Sequence, residues 1–356
     1  MAIGVAIIGS GIFVREEHLP AVLSTPTLSL KAIYSRSIKS AKAVTESTPN
    51  IDLYSDDAGS KQSYEDLLAR SDIHAVIIAL PILTQPDFIK KALSAGKHVL
   101  AEKPIAKDVG TATDLLSWYK SNVDTSKISF SVAENFRFHP QFLHAASKVK
   151  DLGKILGFRT RMHTLVSGGK YFETAWRKTP EYQGGFLLDG GVHFIAATRL
   201  LLQAGKDENK VQRVAAFTAQ LQEHLPPVDT VDATWRLGSG VTGSFSVSFG
   251  TTFKGVEYSV ACEKGVVTAF VEFVPGGGKP KGMVVVKNAK NEEVSRREVP
   301  DSSGVKEEVK AWAEGIEKGV MDGRQSAEEG LRDLEILEAM IQSGEQDGTS
   351  VPLQLQ

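Results

Sequence analysis

The stretch AIGVAIIGSGIFV, residues 2–14, decides the fold of this chain. It begins with a nearly continuous apolar run, which predicts a β-strand buried on both faces of a parallel sheet. Gly9 and Gly11 follow that run directly. In a dinucleotide-binding fold the first glycine makes a tight turn, and the second lets the backbone approach a pyrophosphate at a helix N-terminus. The stretch therefore predicts a cofactor-binding turn that also includes Ile12 and Phe13.

Glycine pairs of this spacing are also common in ordinary turns, so the pair alone is weak evidence. Its place between a buried strand and a helix, at the start of alternating strands and helices, favours the cofactor interpretation. The third glycine of the usual fingerprint is absent, and Val14 stands in its place. We therefore expect the helix and the strand to lie slightly further apart than in a complete fingerprint.

Strand-like and helix-like segments alternate over the first third of the chain. Further buried strands are predicted at 28–34, 74–80, 98–102 and 128–134, and helices near 38–47, 63–70, 85–95 and 108–122. Alternation of this kind implies right-handed βαβ units and a doubly wound sheet. We interpret residues 1–134 as a Rossmann dinucleotide-binding domain.

The remainder of the chain has a different pattern, with many strands and few helices. Strands are predicted at 155–166, 211–221, 229–237, 241–249, 255–262, 266–273 and 282–288, and helices near 139–151, 305–320 and 326–343. In VTGSFSVSF, residues 241–249, apolar residues alternate with threonine and serine, which is typical of an antiparallel strand with one face on a core. The predicted class is α/β, with an α+β domain over 135–356 that contains a large, mainly antiparallel open sheet.

Composition excludes several classes of protein. The chain has 356 residues, enough for two domains with buried cores, and a formal net charge of −2, which gives no reason to expect nucleic acid or an anionic membrane. Cys262 is the only cysteine, so neither an intrachain disulfide nor a thiolate metal cluster is possible. No basic leader and no apolar run of membrane-spanning length is evident. We expect a cytoplasmic protein that acts on a small molecule.

The end of the second strand bears on the choice between NAD and NADP. The sequence there is AIYSRSIKS, with Ser35 and Arg36 where an NAD-binding chain would carry a carboxylate. A hydroxyl and a guanidinium together suit a ribose 2′-phosphate, because the planar guanidinium matches phosphate oxygens. The alternative interpretation of Arg36 is an ordinary solvated loop charge. Given the glycine turn, we favour NADP(H), with NAD(H) as the alternative.

Glu102, Lys103 and Pro104 end another predicted strand, at the edge where open α/β sheets bind ligands. A lysine beside a nicotinamide cation would have a lowered pKa, because like charge disfavours its protonated form. It can then exchange a proton with a substrate oxygen while hydride moves to or from the ring. A surface charge is the alternative interpretation of Lys103 in isolation.

Together these motifs resemble the Gfo/Idh/MocA family of oxidoreductases. The matching segments are GSGIF after the first strand, ALP at 79–81, EKP at 102–104, ENFRFHP at 134–140 and GGFLLDGGVHFI at 184–195. The resemblance implies a Rossmann domain, a C-terminal sheet domain and NAD(P)-dependent hydride transfer at a carbonyl or carbinol carbon, commonly of a sugar or cyclitol derivative.

The resemblance also implies roles for an aspartate and a histidine four residues apart, Asp189 and His193. It implies that this segment opens a helix, that His193 handles a proton with Lys103, and that Asp189 orients substrate hydroxyls or the imidazole. Gly190 and Gly191 would leave room there for substrate and nicotinamide. The alternative is an N-cap aspartate and a core histidine. Ala196 departs from the family, in which many members have aspartate at that position.

Further positions follow from the resemblance less directly. They are Leu80, Pro81, Gln85, Glu102, Trp176 and Arg177 for the cofactor, and Asn135 and Arg137 for the substrate. His163 on the strand 155–166 and Tyr182 just before the glycine pair are further candidates for facing the substrate, and a structural or exposed position is the alternative for each. No zinc site is expected, because the histidines are scattered. Reduction of a C=N or activated C=C bond, NAD-dependent glycoside hydrolysis and a non-catalytic sensor remain alternative functions. The charge-poor face of 241–249 suggests a homodimer.

Overall fold

The computed structural model describes residues 2–46, 48, 50–204, 207–273 and 279–356. The chain forms two compact units, Met1–Asn135 with Val305–Leu331, and Phe136–Gly304 with Arg332–Gln356. The predicted division into 1–134 and 135–356 differs from these units chiefly at residues 305–331, which join the first unit. An α/β architecture with a Rossmann-like sheet and a second, mainly antiparallel sheet is confirmed.

The first unit contains a parallel sheet with the strand order β3-β2-β1-β4-β5-β6. Its strands are β1 (Ile3–Ile8), β2 (Leu28–Ser35), β3 (Asp52–Ser55), β4 (Ala75–Ile78), β5 (His98–Glu102) and β6 (Phe130–Ala133). A π-helical turn, Val14–His18, leads into the helices α1 (Leu19–Leu23), α2 (Ile38–Thr45), α3 (Tyr64–Leu68), α4 (Gln85–Ser94) and α5 (Val109–Asn122). The strand β3 was not predicted, because it has four residues and little apolar character.

The second unit contains a larger sheet with the order β14-β13-β12-β11-β7-β10-β9-β8-β15. Its strands are β7 (Ile155–Leu165), β8 (Val211–Ala219), β9 (Thr230–Leu237), β10 (Thr242–Ser248), β11 (Gly250–Cys262), β12 (Gly265–Glu272), β13 (Lys281–Asn288), β14 (Glu293–Val299) and β15 (Val351–Pro352). The helices that follow α5 are α6 (Pro140–Asp151), α7 (Ala175–Lys178), α8 (Gly185–Leu202), α9 (Val305–Lys318) and α10 (Ala327–Glu345). Short 3₁₀ turns lie at Asn135–Arg137, Asp207–Asn209 and Gly323–Gln325.

Burial of one face of β10 explains the alternation seen in the sequence. Phe245 and Val247 on β10 are fully buried, whereas Thr242 and Ser244 are exposed, so one face of this strand packs on the core as predicted. β10 pairs antiparallel with β9 but parallel with β7. The sheet is therefore mainly, and not entirely, antiparallel.

Helix α8 is an apolar helix in the interior of the second unit. By length and composition alone it could cross a membrane, but 78% of that segment is buried inside the protein. Its small residues and leucines pack against the sheet and against α6. Burial on nearly all sides accounts for its apolar composition, as in the core helix of a globular domain.

Helix α9 belongs to the first unit although it lies far along the chain. Val305, Val309, Trp312 and Ala313 fall on one face of the helix and share a core with the apolar residues of β1. Trp312 is fully buried there. Completion of the Rossmann-like core by a segment distant in sequence explains why the linear division into 1–134 and 135–356 departs from the observed units.

We expect the change Trp312→Ala to destabilise the first unit by about 3–5 kcal/mol, the usual cost of deleting a buried aromatic side chain. Trp118, which is half-buried on α5 of the same unit, provides the matched control. Urea unfolding followed by circular dichroism should show a large loss for Trp312→Ala and a much smaller one for Trp118→Ala. Equal losses would contradict the structural role assigned to α9.

Candidate active-site residues

The glycine turn lies where the order of the first sheet reverses, between β1 and β4. Gly9 has φ +131°, and a Cβ atom there would lie 2.3 Å from the Ala79 carbonyl oxygen, so only glycine fits. A Cβ atom at Gly11 would meet no described heavy atom within 4 Å. This open space next to a helix start is the feature that a pyrophosphate group requires.

The loop after β2 is tied to the glycine turn. The Ser10 and Ser35 hydroxyl oxygens are 2.6 Å apart, and Ser35 is buried. Arg36 is exposed, and it has no hydrogen-bonding or ionic partner among the described residues. Its guanidinium is therefore available to an anion at the end of β2, as the predicted 2′-phosphate site requires.

A carboxylate that was not predicted from the sequence lies beside this loop. Asp57 accepts hydrogen bonds of 2.7 Å from the Ile38 backbone N–H and from the Ser55 hydroxyl. These hydrogen bonds hold the pKa of Asp57 below its usual value. Asp57 follows the strand β3, which was not predicted. For that reason no carboxylate was expected near the loop that contains Arg36.

The segment Glu102–Lys103–Pro104 ends β5 at the same edge of the sheet. Lys103 is half-buried, and its peptide bond to Pro104 is cis. The carboxylate of Glu102 lies 2.6 Å from His18 Nε2, and His18 is fully buried. The Gln85 amide donates to the backbone oxygens of Glu102 and Pro104, at 3.1 and 3.4 Å.

Three of the predicted cofactor residues differ in their surroundings. Gln85 is almost fully buried and binds backbone, whereas Pro81 is exposed and Leu80 is half-buried at the end of β4. His18 was not predicted to be functional. The available signal was a histidine placed shortly after the glycine turn, in the segment EEHLP.

In the second unit, helix α8 begins at Gly185, four residues before Asp189. Asp189 therefore lies inside the helix, and both the expectation that it opens the helix and the alternative that it is the N-cap are wrong; Gly184 is the N-cap. The Asp189 carboxylate accepts a 2.7 Å hydrogen bond from Arg177 Nε. Both side chains are largely buried, so this ion pair is shielded from solvent.

The two glycines after Asp189 serve helix packing. A Cβ atom at Gly190 would lie 2.8 Å from the Phe249 ring, and one at Gly191 would lie 3.3 Å from Leu337. The expectation that these glycines leave room for substrate and nicotinamide is therefore wrong, because protein side chains fill the space. Ala196 is fully buried on the same helix, where an aspartate would require a buried partner.

His193 lies one turn after Asp189 and is half-buried, so it is not a fully buried core residue. Its ring stacks on Phe136 with centroids 4.6 Å apart and an angle of 18° between the planes. The stacking fixes the plane of the imidazole. It leaves the ring partly accessible, as proton exchange with a ligand requires.

Trp176, Arg177 and Tyr182 surround Asp189. The Arg177 guanidinium carbon lies 4.0 Å from the Trp176 ring centroid, a cation–π contact. Burial, and secondarily the charge of Asp189, raise the pKa of the Tyr182 phenol above its usual value. Its hydroxyl has no hydrogen-bonding partner among the described residues. The structure therefore brings these four predicted residues together within the second unit.

The remaining predicted substrate residues have structural partners. Arg137 is 3% exposed and forms a buried ion pair with Asp333, which contradicts a direct substrate contact. Asn135 lies at the end of the first unit and is largely buried. His163 Nε2 lies 2.7 Å from the Ser246 hydroxyl, and the pKa of His163 is lowered mainly by burial. No group of metal-ligating side chains occurs in the described ranges.

Asp333 was also missed, and it joins two arginines. Its second oxygen lies 2.6 Å from Arg199 Nη1, and both side chains are almost fully buried. Arg199 lies in the apolar segment IAATRLLL, and a charge in such a run was the available signal for a buried carboxylate partner.

Comparison with known proteins agrees with this geometry. Residues 3–128 match the model of the Gfo/Idh/MocA oxidoreductase family with an NAD-binding Rossmann fold. Residues 147–353 match the model of that family's C-terminal alpha/beta domain. The two matches cover most of the chain and confirm the resemblance inferred from the motifs.

Individual relatives extend over nearly the whole chain. Dehydrogenase FPY6 of Fusarium mangiferae is 41% identical over 353 residues, covering 98% of each chain. D-xylose 1-dehydrogenase (NADP(+)) 2 of Haloferax volcanii is 26% identical over 293 residues, covering 82% of this chain and 84% of the relative. The solved structure of an oxidoreductase from Thermotoga maritima is 27% identical with a TM-score of 0.82, covering 99% and 98%.

The packing at Gly190 gives a prediction. Replacing glycine by alanine inside a helix ordinarily stabilises by about 1 kcal/mol, but here the methyl group would collide with Phe249. We expect Gly190→Ala to lower the free energy of unfolding by about 1–3 kcal/mol, the usual cost of overpacking. Gly110→Ala on α5, where the nearest atom is 3.6 Å away, is the control and should be neutral or stabilising in thermal unfolding. A stabilised Gly190→Ala protein would show that the space is open after all.

Proposed function

The chain belongs to the Gfo/Idh/MocA oxidoreductase family, and from that premise we propose that it is an NADP(H)-dependent oxidoreductase acting on a carbonyl or carbinol carbon. The proposed substrate is a small polar molecule, a sugar or cyclitol derivative. The observation that carries the proposal is the half-buried Lys103 at the carboxyl end of β5, on a sheet whose reversal point holds the turn of Gly9 and Gly11.

The residues of the first unit fit the cofactor. The backbone at Gly9 and Gly11 would hold the pyrophosphate, and Ser35 with Arg36 would hold the ribose 2′-phosphate. When bound, NADP(H) supplies or accepts hydride at C4 of its nicotinamide ring. The name of the Haloferax volcanii relative, an NADP(+)-dependent xylose dehydrogenase, supports both the cofactor and the substrate class.

Lys103 is proposed as the residue that donates and accepts the proton. In reduction, Lys103 Nζ would give a proton to the substrate oxygen; in oxidation, it would take that proton back. A positioned acid or base of this kind contributes about 10²–10⁴-fold to a rate. A half-buried ammonium can approach a ligand while it is shielded from bulk water.

The second unit supplies the groups proposed for substrate binding. The Asp189 carboxylate, held by Arg177, is proposed to accept hydrogen bonds from substrate hydroxyls. His193, held by its stacking on Phe136, is proposed as a further proton donor or acceptor. Trp176 and Tyr182 would provide the apolar walls and one hydroxyl donor next to Asp189.

We also propose that the protein is a homodimer formed through the larger sheet. The outward face of β10 carries Thr242, Ser244 and Ser246, and it has no charged residue. Phe253, at 73% exposure, and Phe217, at 62%, lie on strands of the same sheet. Apolar rings exposed to this degree are common at subunit interfaces.

Lys103→Ala tests the catalytic assignment. Across a panel of sugars, cyclitols, small ketones, dicarbonyls and imines, wild type should oxidise NADPH with at least one compound. We expect kcat to fall by about 10²–10⁴-fold in the variant. The change Lys107→Ala removes an exposed lysine from the same segment and should leave kcat unchanged. Absorbance assays at the reduced-nicotinamide band measure kcat for each protein.

An inactive wild type that still binds NADPH would overturn the assigned reaction and favour a sensor. Cleavage of a glycoside without net change in the cofactor would favour the hydrolase alternative. Turnover of imines alone would replace the carbonyl assignment by C=N reduction.

Arg36→Ala tests the cofactor assignment. Loss of a charge-assisted hydrogen bond to a 2′-phosphate costs about 1.5–3 kcal/mol, so we expect the Kd for NADPH to rise about 10–100-fold. The Kd for NADH should change little, because NADH lacks that phosphate. Fluorescence titration of both nucleotides measures this, with Lys42→Ala on α2 as a control for loss of one exposed positive charge. Equal weakening of both nucleotides would contradict a 2′-phosphate contact.

A further inference from the structure

We propose that His18 and Gln85 are positioning residues that clamp the residues on both sides of Lys103, His18 through the Glu102 side chain and Gln85 through the backbone. The inference rests on the proposed function, because it takes Lys103 as the proton-handling group. It assigns to two buried side chains a role that the family resemblance does not give them. Neither touches the reacting atoms in this proposal; both act through the segment Glu102–Lys103–Pro104, which is called the lysine segment below.

The first half of the clamp is the imidazole of His18. It is fully buried at the end of the π-helical turn, and its Nε2 lies 2.6 Å from the Glu102 carboxylate. The Nδ1 atom is also buried and has no partner among the described residues. An ionised carboxylate only accepts, so the ring proton belongs on Nε2, where it is donated to Glu102. The one hydrogen bond of this buried ring is therefore spent on the lysine segment.

The Phe13 ring completes this half. It packs edge-on against His18, with centroids 5.3 Å apart and an interplanar angle of 78°. Phe13 belongs to the glycine turn, so the imidazole is held between that turn and the lysine segment.

The second half of the clamp is the amide of Gln85, the first residue of α4. It is 1% exposed, and its Nε2 donates to the carbonyl oxygens of Glu102 and Pro104. These two carbonyls belong to the residues before and after Lys103. The amide therefore ties both ends of the lysine segment to α4, while His18 holds the side chain at one end.

Topology explains why the clamp assembles at this place. β1, β4 and β5 are consecutive neighbours in the parallel sheet. The chain leaves β1 towards His18 and leaves β4 towards Gln85, and both elements start at the carboxyl edge where β5 ends. His18 thus lies in the segment that follows β1, and Gln85 lies in the segment that follows β4. These are the two strands on one side of β5.

Packing alone does not account for these residues. An imidazole and an amide lose hydration when buried, and apolar side chains of similar volume would fill the same space at lower cost. Both spend their hydrogen bonds on the three residues centred on Lys103. A displacement of about 1 Å at a reacting group can cost about 10²-fold in rate, so rigid support at this position has a functional consequence.

The experiment compares five full-length proteins. They are wild type, His18→Leu, His18→Gln, Gln85→Leu and His98→Leu. His98 is the matched control: it lies at the opposite end of β5, and its Nδ1 is bonded to the Ser129 hydroxyl at 2.9 Å. His18→Gln is the conservative variant, since its side-chain amide can still donate to Glu102.

Four quantities are measured on each protein: the melting temperature, the Kd for NADPH, kcat with KM, and the labelling rate of Lys103 by an amine reagent. The labelling rate is read by mass spectrometry relative to Lys107, and it does not depend on any activity. We expect His18→Leu and Gln85→Leu to change this ratio at least about 3-fold and to lower kcat about 10-fold or more. KM and the NADPH Kd should stay within about 3-fold of the wild-type values. His18→Gln should have a labelling ratio and a kcat close to those of wild type.

His98→Leu should lower the melting temperature while leaving the labelling ratio and kcat unchanged. A labelling ratio in His18→Leu and Gln85→Leu equal to that of wild type would overturn the clamp. So would losses of the same size in His98→Leu. If His18→Leu does not fold, His18→Asn, which cannot span the distance to Glu102, replaces it in the same comparison.

Failure of the clamp can be told apart from failure of the proposed function. If Lys103→Ala keeps full activity while the labelling ratio still changes in His18→Leu, the clamp stands and the catalytic assignment of Lys103 falls. If Lys103→Ala is inactive and the labelling ratio is unchanged in both clamp variants, the assigned reaction stands and the clamp falls.

Discussion

The first unit depends on one close approach, that of the Gly9 backbone to the Ala79 carbonyl oxygen. A Cβ atom would lie 2.3 Å from that oxygen, and the backbone has φ +131°, so any side chain would force β1 and the end of β4 apart. The same residue donates its N–H to Tyr34 on β2. One glycine therefore joins the ends of three neighbouring strands and creates the open edge to which Gly11, Ser35 and Lys103 contribute.

Buried charge plays the corresponding part in the second unit. Asp333 lies between Arg137 and Arg199, and Asp189 is held by Arg177, so every one of these charges has a partner of opposite sign. Removing one partner of a buried pair typically costs about 3–5 kcal/mol, because the other charge is left uncompensated. The Asp333 network is remote from solvent and supports the helices. The Asp189 pair differs because half-buried side chains, those of His193 and Trp176, lie near it.

Much of this arrangement follows from local sequence pattern, and the failures have definite physical causes. Periodicity located the long strands, and the glycine turn located the sheet reversal, because those features depend on neighbouring residues. The short strand β3 and the carboxylate of Asp57 were missed, since four weakly apolar residues carry no periodic signal. The role of Gly190 was misjudged because Phe249, which fills the space above it, is distant in sequence. Helix α9 was assigned to the second domain from its place in the chain, and its contacts with the core of the first unit were missed for the same reason.

The contacts around Lys103 show why such long-range relations can still be inferred once the topology is known. His18 and Glu102 are 84 residues apart in sequence, yet they are hydrogen-bonded. A parallel sheet brings the carboxyl ends of all its strands to one edge, so polar residues just after β1, β4 and β5 must be near neighbours. A buried polar residue at such a place requires a hydrogen-bonding partner. Few strand ends lie within reach of it, so few partners are available. Topology and the requirement to satisfy buried polar groups therefore assign His18 and Gln85 to the lysine segment, whereas neither the length of the strands nor their apolar pattern could do so.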